Sequence, residues 1–204
     1  MGSDAKSSLV NRRTYDEIAS AYHAETKDPR HSLPWIEAFE EVLVPGAYVG
    51  DLGSGPGRDA ATLRTRGFRV ISMDLSLGML RAGLEDFPGP RVQSDLRCLP
   101  FADEVFDAVW ANACFLHLTI EELPRALREV ARTLRPSGHL HLSIKKGDGS
   151  EWESARYGKP RWFQFWNEDA LDVALDEAGF RNRVSFTDDL RTQTWIIRQV
   201  QKRT

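Results

Sequence analysis

The run VGDLGSGPGRDA, residues 49–60, sets Asp51, Gly53, Gly55 and Gly57 at every second position, with Asp59 closing the series. Glycine lacks the Cβ that would keep a backbone from turning sharply and lying against a ligand. Gly53, Ser54, Gly55, Pro56 and Gly57 therefore describe a loop shaped to cradle one. The glycines alone also fit a tight strand-to-helix turn with no ligand. Gly55-Pro56-Gly57-Arg58-Asp59-Ala60 fits the G-x-G-x-x-A form of the dinucleotide fingerprint as well. Asp74 follows, nineteen residues beyond Gly55, where such folds place a carboxylate on ribose hydroxyls. A carboxylate accepts two hydrogen bonds from a vicinal diol, and it also serves as a solvated N-cap for the next helix. His117, in CFLHLT, titrates near neutrality and is the best-placed general base, or else a brace for its loop. His139 and His141 alternate with Leu140 and Leu142, so they share one strand face without the company a metal site needs. Cys98 and Cys114 have no paired spacing, so no metal ligand set and no disulfide framework is expected.

Strands and helices must hold these groups. Short apolar runs at Tyr48–Leu52, Arg69–Met73, Arg91–Gln93, Ala108–Ala111 and His139–Ile144 alternate with helical stretches near Arg58–Arg66, Ser76–Leu84 and Pro124–Leu134. That alternation predicts parallel strands joined by crossover helices. Pro124 lacks a backbone donor and suits a first helical turn, which leaves Ile120 and Leu123 to a turn before it. Pro136-Ser137-Gly138 breaks the chain ahead of the fifth strand. Two helical patterns precede the first strand, around Tyr15–Tyr22 and around Trp35–Val42. The tail predicts a helix over Asn167–Ala178, capped by Asn167 and stopped by Gly179, then strands Val184–Thr187 and Thr194–Gln199 joined by a polar turn. Ligands on such sheets sit at the carboxyl ends of the strands, near the switch in strand order.

With Asp51 two residues before Gly53, the D-x-G-x-G-x-G stretch resembles motif I of the class I S-adenosylmethionine-dependent methyltransferases of small-molecule type. The later acids, the FADEVFDAVWANACFLHL segment and LRPSGHLHLSI resemble that family's further motifs in order, over roughly Tyr15 to Ile144. Ser137-Gly138 replaces the commoner Gly-Gly of a turn. The resemblance implies a Rossmann-like three-layer α/β/α sandwich, with a mostly parallel seven-stranded sheet and an antiparallel C-terminal edge hairpin. It implies S-adenosylmethionine as cofactor, with S-adenosylhomocysteine as product. Asp51 is placed near the methionine end, Gly53 to Gly57 along the amino-acid and ribose portions, and Asp74 on the ribose with Leu75, Ser76 and Met79 beside it. Asp95 falls to the adenine amino group with Leu96 at the ring, and Asp59, Ala111 and Asn112 join the cofactor set. NRRTYDEIASAYH resembles the N-terminal helix that closes over the cofactor in many members, putting Tyr15 and Tyr22 on one face of a lid. A histidine often stands where His117 does, close to the transferred methyl.

One domain over 1–204 is expected: a helical lid (1–44), a cofactor core (45–145), an aromatic-rich insertion (146–166), and a C-terminal helix with its hairpin (167–204). The insertion groups Trp152, Tyr157, Trp162 and Phe163 with Lys145, Lys146, Arg156 and Arg161. These rings are expected to wall the acceptor pocket, or to cap the core, and the cations to meet an acidic group. Net charge is −3, against the basic excess of nucleic-acid binders. Asn112-Ala113-Cys114-Phe115 lacks the two prolines typical of nucleobase amino-methyltransferases, and Cys114 suits a small apolar filler facing the cofactor. The first residues carry no apolar core of a signal sequence, and no run approaches a membrane span. The expected partner is a small-molecule methyl acceptor, without nucleic acid or membrane, in the cytoplasm. The alternatives are an RNA or protein methyltransferase, or a cofactor-binding relative without activity.

Overall fold

The computed structural model describes residues 3–190 and 193–204. The first five strands run parallel: β1 (Tyr48–Leu52), β2 (Arg69–Asp74), β3 (Arg91–Gln93), β4 (Phe106–Asn112) and β5 (Leu134–Lys145). A separate antiparallel pair follows, β6 (Ser150–Glu153) with β7 (Arg161–Gln164). The chain then returns to the main sheet as β8 (Phe180–Leu190) and β9 (Gln193–Lys202). β9 lies antiparallel to β5 and β8 forms the edge, giving the order β3-β2-β1-β4-β5-β9-β8. Arg191 and Thr192, in the polar turn expected between the last two strands, lie outside the described residues. The strand order reverses between β1 and β4, so the loops after those strands flank a crevice.

Helices cover both faces. α1 (Ser3–Thr26) and α2 (Leu33–Glu40) precede β1, α3 (Arg58–Thr65) and α4 (Leu77–Ala82) follow β1 and β2, α5 (Leu123–Thr133) leads to β5, and α6 (Glu168–Glu177) leads to β8. α5 buries Leu123, Ala126, Leu127 and Val130, the i, i+3, i+4, i+7 stripe of an amphipathic helix. They join the larger core with Leu140, Leu142, Phe163 and Leu175. Leu123 is thus the first residue of α5 and fully buried, not part of a lead-in turn. On the opposite face Trp35, Ile36 and Phe39 of α2 pack with Val49, Leu63, Trp110 and Ile197. α2 is therefore a core helix, and only α1 of the expected 1–44 lid lies over the crevice.

The break at Pro136-Ser137-Gly138 survives inside a longer strand. β5 starts at Leu134, Ser137 takes φ 59°, and pairing with β4 jumps from Phe106–Leu134 to Ala108–His139. The extra residues are accommodated as a bulge. At the tail, the Asn167 side chain accepts the Ala170 N–H at 2.8 Å and Gly179 turns out of α6 at φ 90°. No helix among the described residues is long and apolar enough to cross a membrane.

Candidate active site

A cavity of about 170 Å³ opens at the carboxyl ends of β1, β2 and β4, roofed by α1. Its floor is the glycine loop, where Gly53, Gly55 and Gly57 all take left-handed φ values (58°, 54° and 96°). Gly53 is also a contact requirement: a Cβ there would sit 2.2 Å from the Cys114 Cβ. The loops after β1 and β4 therefore touch, and Ala113, just before Cys114, holds a left-handed φ of 56° to let them. The Ser143 hydroxyl supports that turn by accepting the Ala113 N–H at 2.9 Å.

Four carboxylates surround the floor, each with a different environment. Asp51 is buried, and its Oδ2 has no hydrogen-bond partner. Burial first, and the charge of Asp59 second, push its carboxyl well above the ordinary range. A cation beside that oxygen would relieve both. Asp59 is saturated instead. Ser32 Oγ and Arg58 Nε donate to Oδ1 at 2.7 and 2.8 Å, and Trp110 Nε1 and Asn112 Nδ2 donate to Oδ2 at 3.1 and 2.8 Å. Burial opposes its charge, but the Arg58 guanidinium and these donors outweigh that and hold it down at about 2. Asp59 thus borders the cavity while its oxygens tie together α3, β4 and the residue before α2.

Asp74, at the end of β2, bridges two loops: Gly55 N–H donates to Oδ2 at 2.9 Å and Ser76 N–H to Oδ1 at 2.8 Å. Ser76, not Asp74, caps α4, accepting the Met79 N–H at 3.0 Å. Burial raises the Asp74 carboxyl to about 6 against the pull of the Ser76, Gly55 and Leu75 backbone donors. A carboxylate offers about four lone-pair sites. Asp74 also lines the cavity. Asp95 is gripped by Arg97, with Nη2 on Oδ2 at 2.6 Å and Nε on Oδ1 at 2.9 Å, and this pairing keeps it ionised against partial burial. Arg97 also pairs with Glu122 and reaches Ser8 Oγ on α1 at 3.2 Å.

The roof is tied down on both flanks. Towards α4, Asp16 Oδ1 accepts from Ser76 Oγ at 2.7 Å and from Gly78 N–H at 2.8 Å, and His23 and Lys27 both meet Asp86. Towards the β6–β7 arm, Thr14 donates to the Pro160 carbonyl at 2.7 Å, Lys159 pairs with Glu17, and Arg156 and Tyr157 both reach Glu25. Between the flanks stands His117, in the single 3-10 turn after β4. Its Nε2 is 2.8 Å from the Tyr15 hydroxyl and its Nδ1 is 2.8 Å from the Trp162 carbonyl oxygen. Burial lowers its pKa to about 4, and Arg161 and Lys145 push in the same direction, so the imidazole is neutral at pH 7. Burial also raises the Tyr15 phenol, which keeps its proton.

Of the residues expected on the cofactor, Tyr15, Tyr22, Asp51, Gly53, Ser54, Gly55, Pro56, Asp59, Asp74, Leu75, Ser76, Met79, Asp95, Leu96 and Asn112 line the cavity, as does His117. Gly57 and Ala111 do not: Gly57 is the N-cap of α3, and Ala111 is fully buried in the sheet core. Trp152, Tyr157, Trp162 and Phe163 were expected to wall the acceptor pocket, and none of them lines the cavity. Trp152 is half exposed, Phe163 belongs to the main core, and Tyr157 packs behind Tyr22. Trp162 reaches the site through its backbone. His141 is a core residue stacked 3.7 Å over Trp110, and no group of potential metal ligands occurs among the described residues. Ser8, Asn11, Arg12, Thr26, Arg58 and Arg97 line the cavity without having been singled out. The signal for the first three was available: Ser8, Asn11, Arg12 and Tyr15 follow the i, i+3, i+4, i+7 spacing of one helix face.

A buried acid with an unpartnered oxygen, a glycine loop and a second acid at the end of β2 thus line one cavity at the strand switch point. A model of the methyltransferase domain family matches residues 50–142. A demethylmenaquinone methyltransferase of Thermobifida fusca is 31% identical over 162 residues, covering 69% of this chain and 67% of that protein. A malonyl-[acyl-carrier protein] O-methyltransferase of Enterobacter lignolyticus is 33% identical over 135 residues, and the match spans 53% of its length, about half. The 1,6-didemethyltoxoflavin-N1-methyltransferase of Burkholderia thailandensis, solved with bound 1,6-didemethyltoxoflavin and S-adenosylhomocysteine, shares the fold at a TM-score of 0.81. It is 20% identical, over 100% of this chain and 92% of that one. The chain belongs to the class I S-adenosylmethionine-dependent methyltransferases.

Proposed function

We propose that the chain transfers the methyl of S-adenosylmethionine to a small-molecule acceptor enclosed beneath α1, with His117 as the base. The observation that carries this reading is the half-buried, neutral His117 at the cavity wall, its Nε2 facing the Tyr15 hydroxyl at 2.8 Å. The residues present suit the cofactor. The unpartnered Asp51 oxygen suits its ammonium, the Asp74 carboxylate its ribose diol, and Asp95 with Leu96 and Leu75 its adenine. The net charge of −3 and a helical roof pinned on both flanks favour a small acceptor over a nucleic acid.

The bound cofactor supplies an electrophilic methyl on a sulfonium that leaves as a thioether. The protein's part is alignment and exclusion of water, worth about 7–11 kcal/mol when geometry is good. A protonated nucleophile must also lose its proton. That proton passes to the Tyr15 oxygen as the Tyr15 proton moves to His117 Nε2, leaving Tyr15 neutral and His117 as imidazolium. The new positive charge replaces the one that disappears with the sulfonium, so the enclosed site keeps its net charge through the reaction. His117→Ala should lower kcat by about 10²–10⁴-fold and leave cofactor affinity nearly unchanged. A panel of acceptors with radiolabelled cofactor, read alongside calorimetry, checks this. Near-full turnover of the variant from pH 6 to 9 would retire the base.

A further inference from the structure

Asn11 sits on the cavity face of α1, almost fully buried, and its carboxamide clasps both main-chain polar groups of one residue of the β6–β7 arm. The Trp162 N–H donates to Asn11 Oδ1 at 2.7 Å, and Asn11 Nδ2 donates to the Trp162 carbonyl at 3.0 Å. A carboxamide carries one acceptor and one donor at the spacing of a peptide bond, so it pairs as a neighbouring strand would. Trp152 occupies the opposite edge of Trp162 in the hairpin, and Asn11 completes the free edge. Because the Trp162 N–H must meet an oxygen, the amide has one orientation, and its nitrogen lies on the His117 side.

That orientation decides where the imidazole keeps its proton. His117 Nδ1 lies 2.8 Å from the Trp162 carbonyl oxygen and 3.1 Å from Asn11 Nδ2. With Nδ1 bare, two lone pairs would face each other at 2.8 Å. With Nδ1 protonated, the carbonyl accepts from Nδ1 and from Asn11 together, using both of its lone pairs. Nε2 is then the bare nitrogen and accepts from the Tyr15 hydroxyl. The charged and titratable groups facing the ring are Tyr15 from α1, Arg161 from β7 and Lys145 from the end of β5, and the two cations disfavour the imidazolium.

We propose that Asn11 is a positioning residue: by clasping both polar atoms of Trp162 it aims that carbonyl at His117 and fixes the Nδ1-protonated tautomer, with the Nε2 lone pair towards Tyr15. The inference rests on His117 being the base. It adds that α1 supplies both the clasp and the Tyr15 hydroxyl, so the base is complete only while α1 covers the cavity.

The imidazole ¹⁵N shifts of the free enzyme at pH 7 test this, with the His117 signals assigned by their loss in His117→Gln. The wild type should show the Nδ1-protonated form. Asn11→Ala should show a mixture of tautomers and lose about 10–100-fold in kcat with KM unchanged, the range seen when a hydrogen-bond partner that orients a metal-ligating imidazole is removed. The near-isosteric Asn11→Asp keeps the acceptor for Trp162 but loses the donor and brings a negative charge beside Nδ1. It should therefore titrate His117 at a higher pH and move the acid limb of the kcat profile upward. An unchanged tautomer in Asn11→Ala, together with a wild-type titration in Asn11→Asp, would overturn the proposal. Failure of the base itself reads out separately, as full turnover in His117→Ala.

Discussion

In the floor of the cavity the glycine loop and Asp74 meet across a short stretch of sequence, whereas the roof meets the base and the β6–β7 arm across half the chain or more. Gly55 and Asp74, which fix the floor, are 19 residues apart. Tyr15 and His117 are separated by 102 residues, and Asn11 and Trp162 by 151. The floor's polar groups are tied by half-buried backbone donors and a saturated, buried carboxylate, whereas much of the roof is held by exposed ion pairs such as Lys159–Glu17 and Arg156–Glu25. Exposed pairs of this kind contribute about 0–1 kcal/mol each, while breaking a buried pair costs about 3–5 kcal/mol. Built this way, the floor stays fixed while the roof is the part whose opening costs least.

The largest effect should come from Asp59→Ala, which strands Arg58, Ser32, Trp110 and Asn112 together. A loss of about 3–5 kcal/mol in denaturant unfolding is expected. A loss below 1 kcal/mol would mean that the floor is no more firmly built than the roof. The same carboxylate, held at about 2, contributes stability above its unfolded value near 4, and that contribution fades as pH falls from about 4 towards 2.

Asp74→Ala should weaken S-adenosylhomocysteine binding at least tenfold by calorimetry, from loss of a charge-assisted pair worth roughly 1.5–3 kcal/mol. Asp74 has the opposite sign to Asp59 in the free protein. Its carboxyl titrates at about 6, so folding stability from this group rises as pH drops from about 6 to 4. Ligand binding should move the other way, because a protonated Asp74 loses an acceptor for the diol. Affinity that stays flat from pH 7.5 to 5 would remove Asp74 from the ribose.

The smallest effects should fall on the outer arm. Tyr157→Phe deletes one exposed hydrogen bond to Glu25, and Trp152→Ala trims a half-exposed ring. Both should change stability by less than about 0.5 kcal/mol and leave acceptor KM within a factor of about two. A tenfold rise in KM for either would bring the arm's rings back into the acceptor pocket and blur the contrast between floor and roof.

The same contrast governs what the sequence made legible. Strand β1, the glycine loop and Asp74 could be read because a strand, a turn and a helix follow one another within thirty residues, and each needs its own residue types. Asp59 was expected in the cofactor set from the resemblance, and only tertiary structure brings Ser32, Trp110 and Asn112 to its oxygens. The aromatics of residues 152–163 were expected to wall the acceptor pocket or to cap the core, and composition carries no information about which side of a wall a ring takes. Trp162 matters at the cavity through its carbonyl, which is common to every residue type. Asn11 is the instructive omission. Its helix face was available from spacing, but its partner lies 151 residues away on a strand edge that the sequence pattern does not reveal.

α1 is a single rod of 24 residues, about 36 Å long at 1.5 Å per residue. It passes over the cavity from Ser8 to Thr26 without contributing to the central sheet. In evolutionary terms this makes the roof a cassette. Substitutions at positions 8 and 12 reshape the space above the floor while leaving Asp51, Asp74, the glycine turn and the Asn11 and Tyr15 contacts to the β6–β7 arm and His117 as they are. One helix can therefore drift, or be grafted from a relative, and carry an altered acceptor preference onto an inherited cofactor cradle.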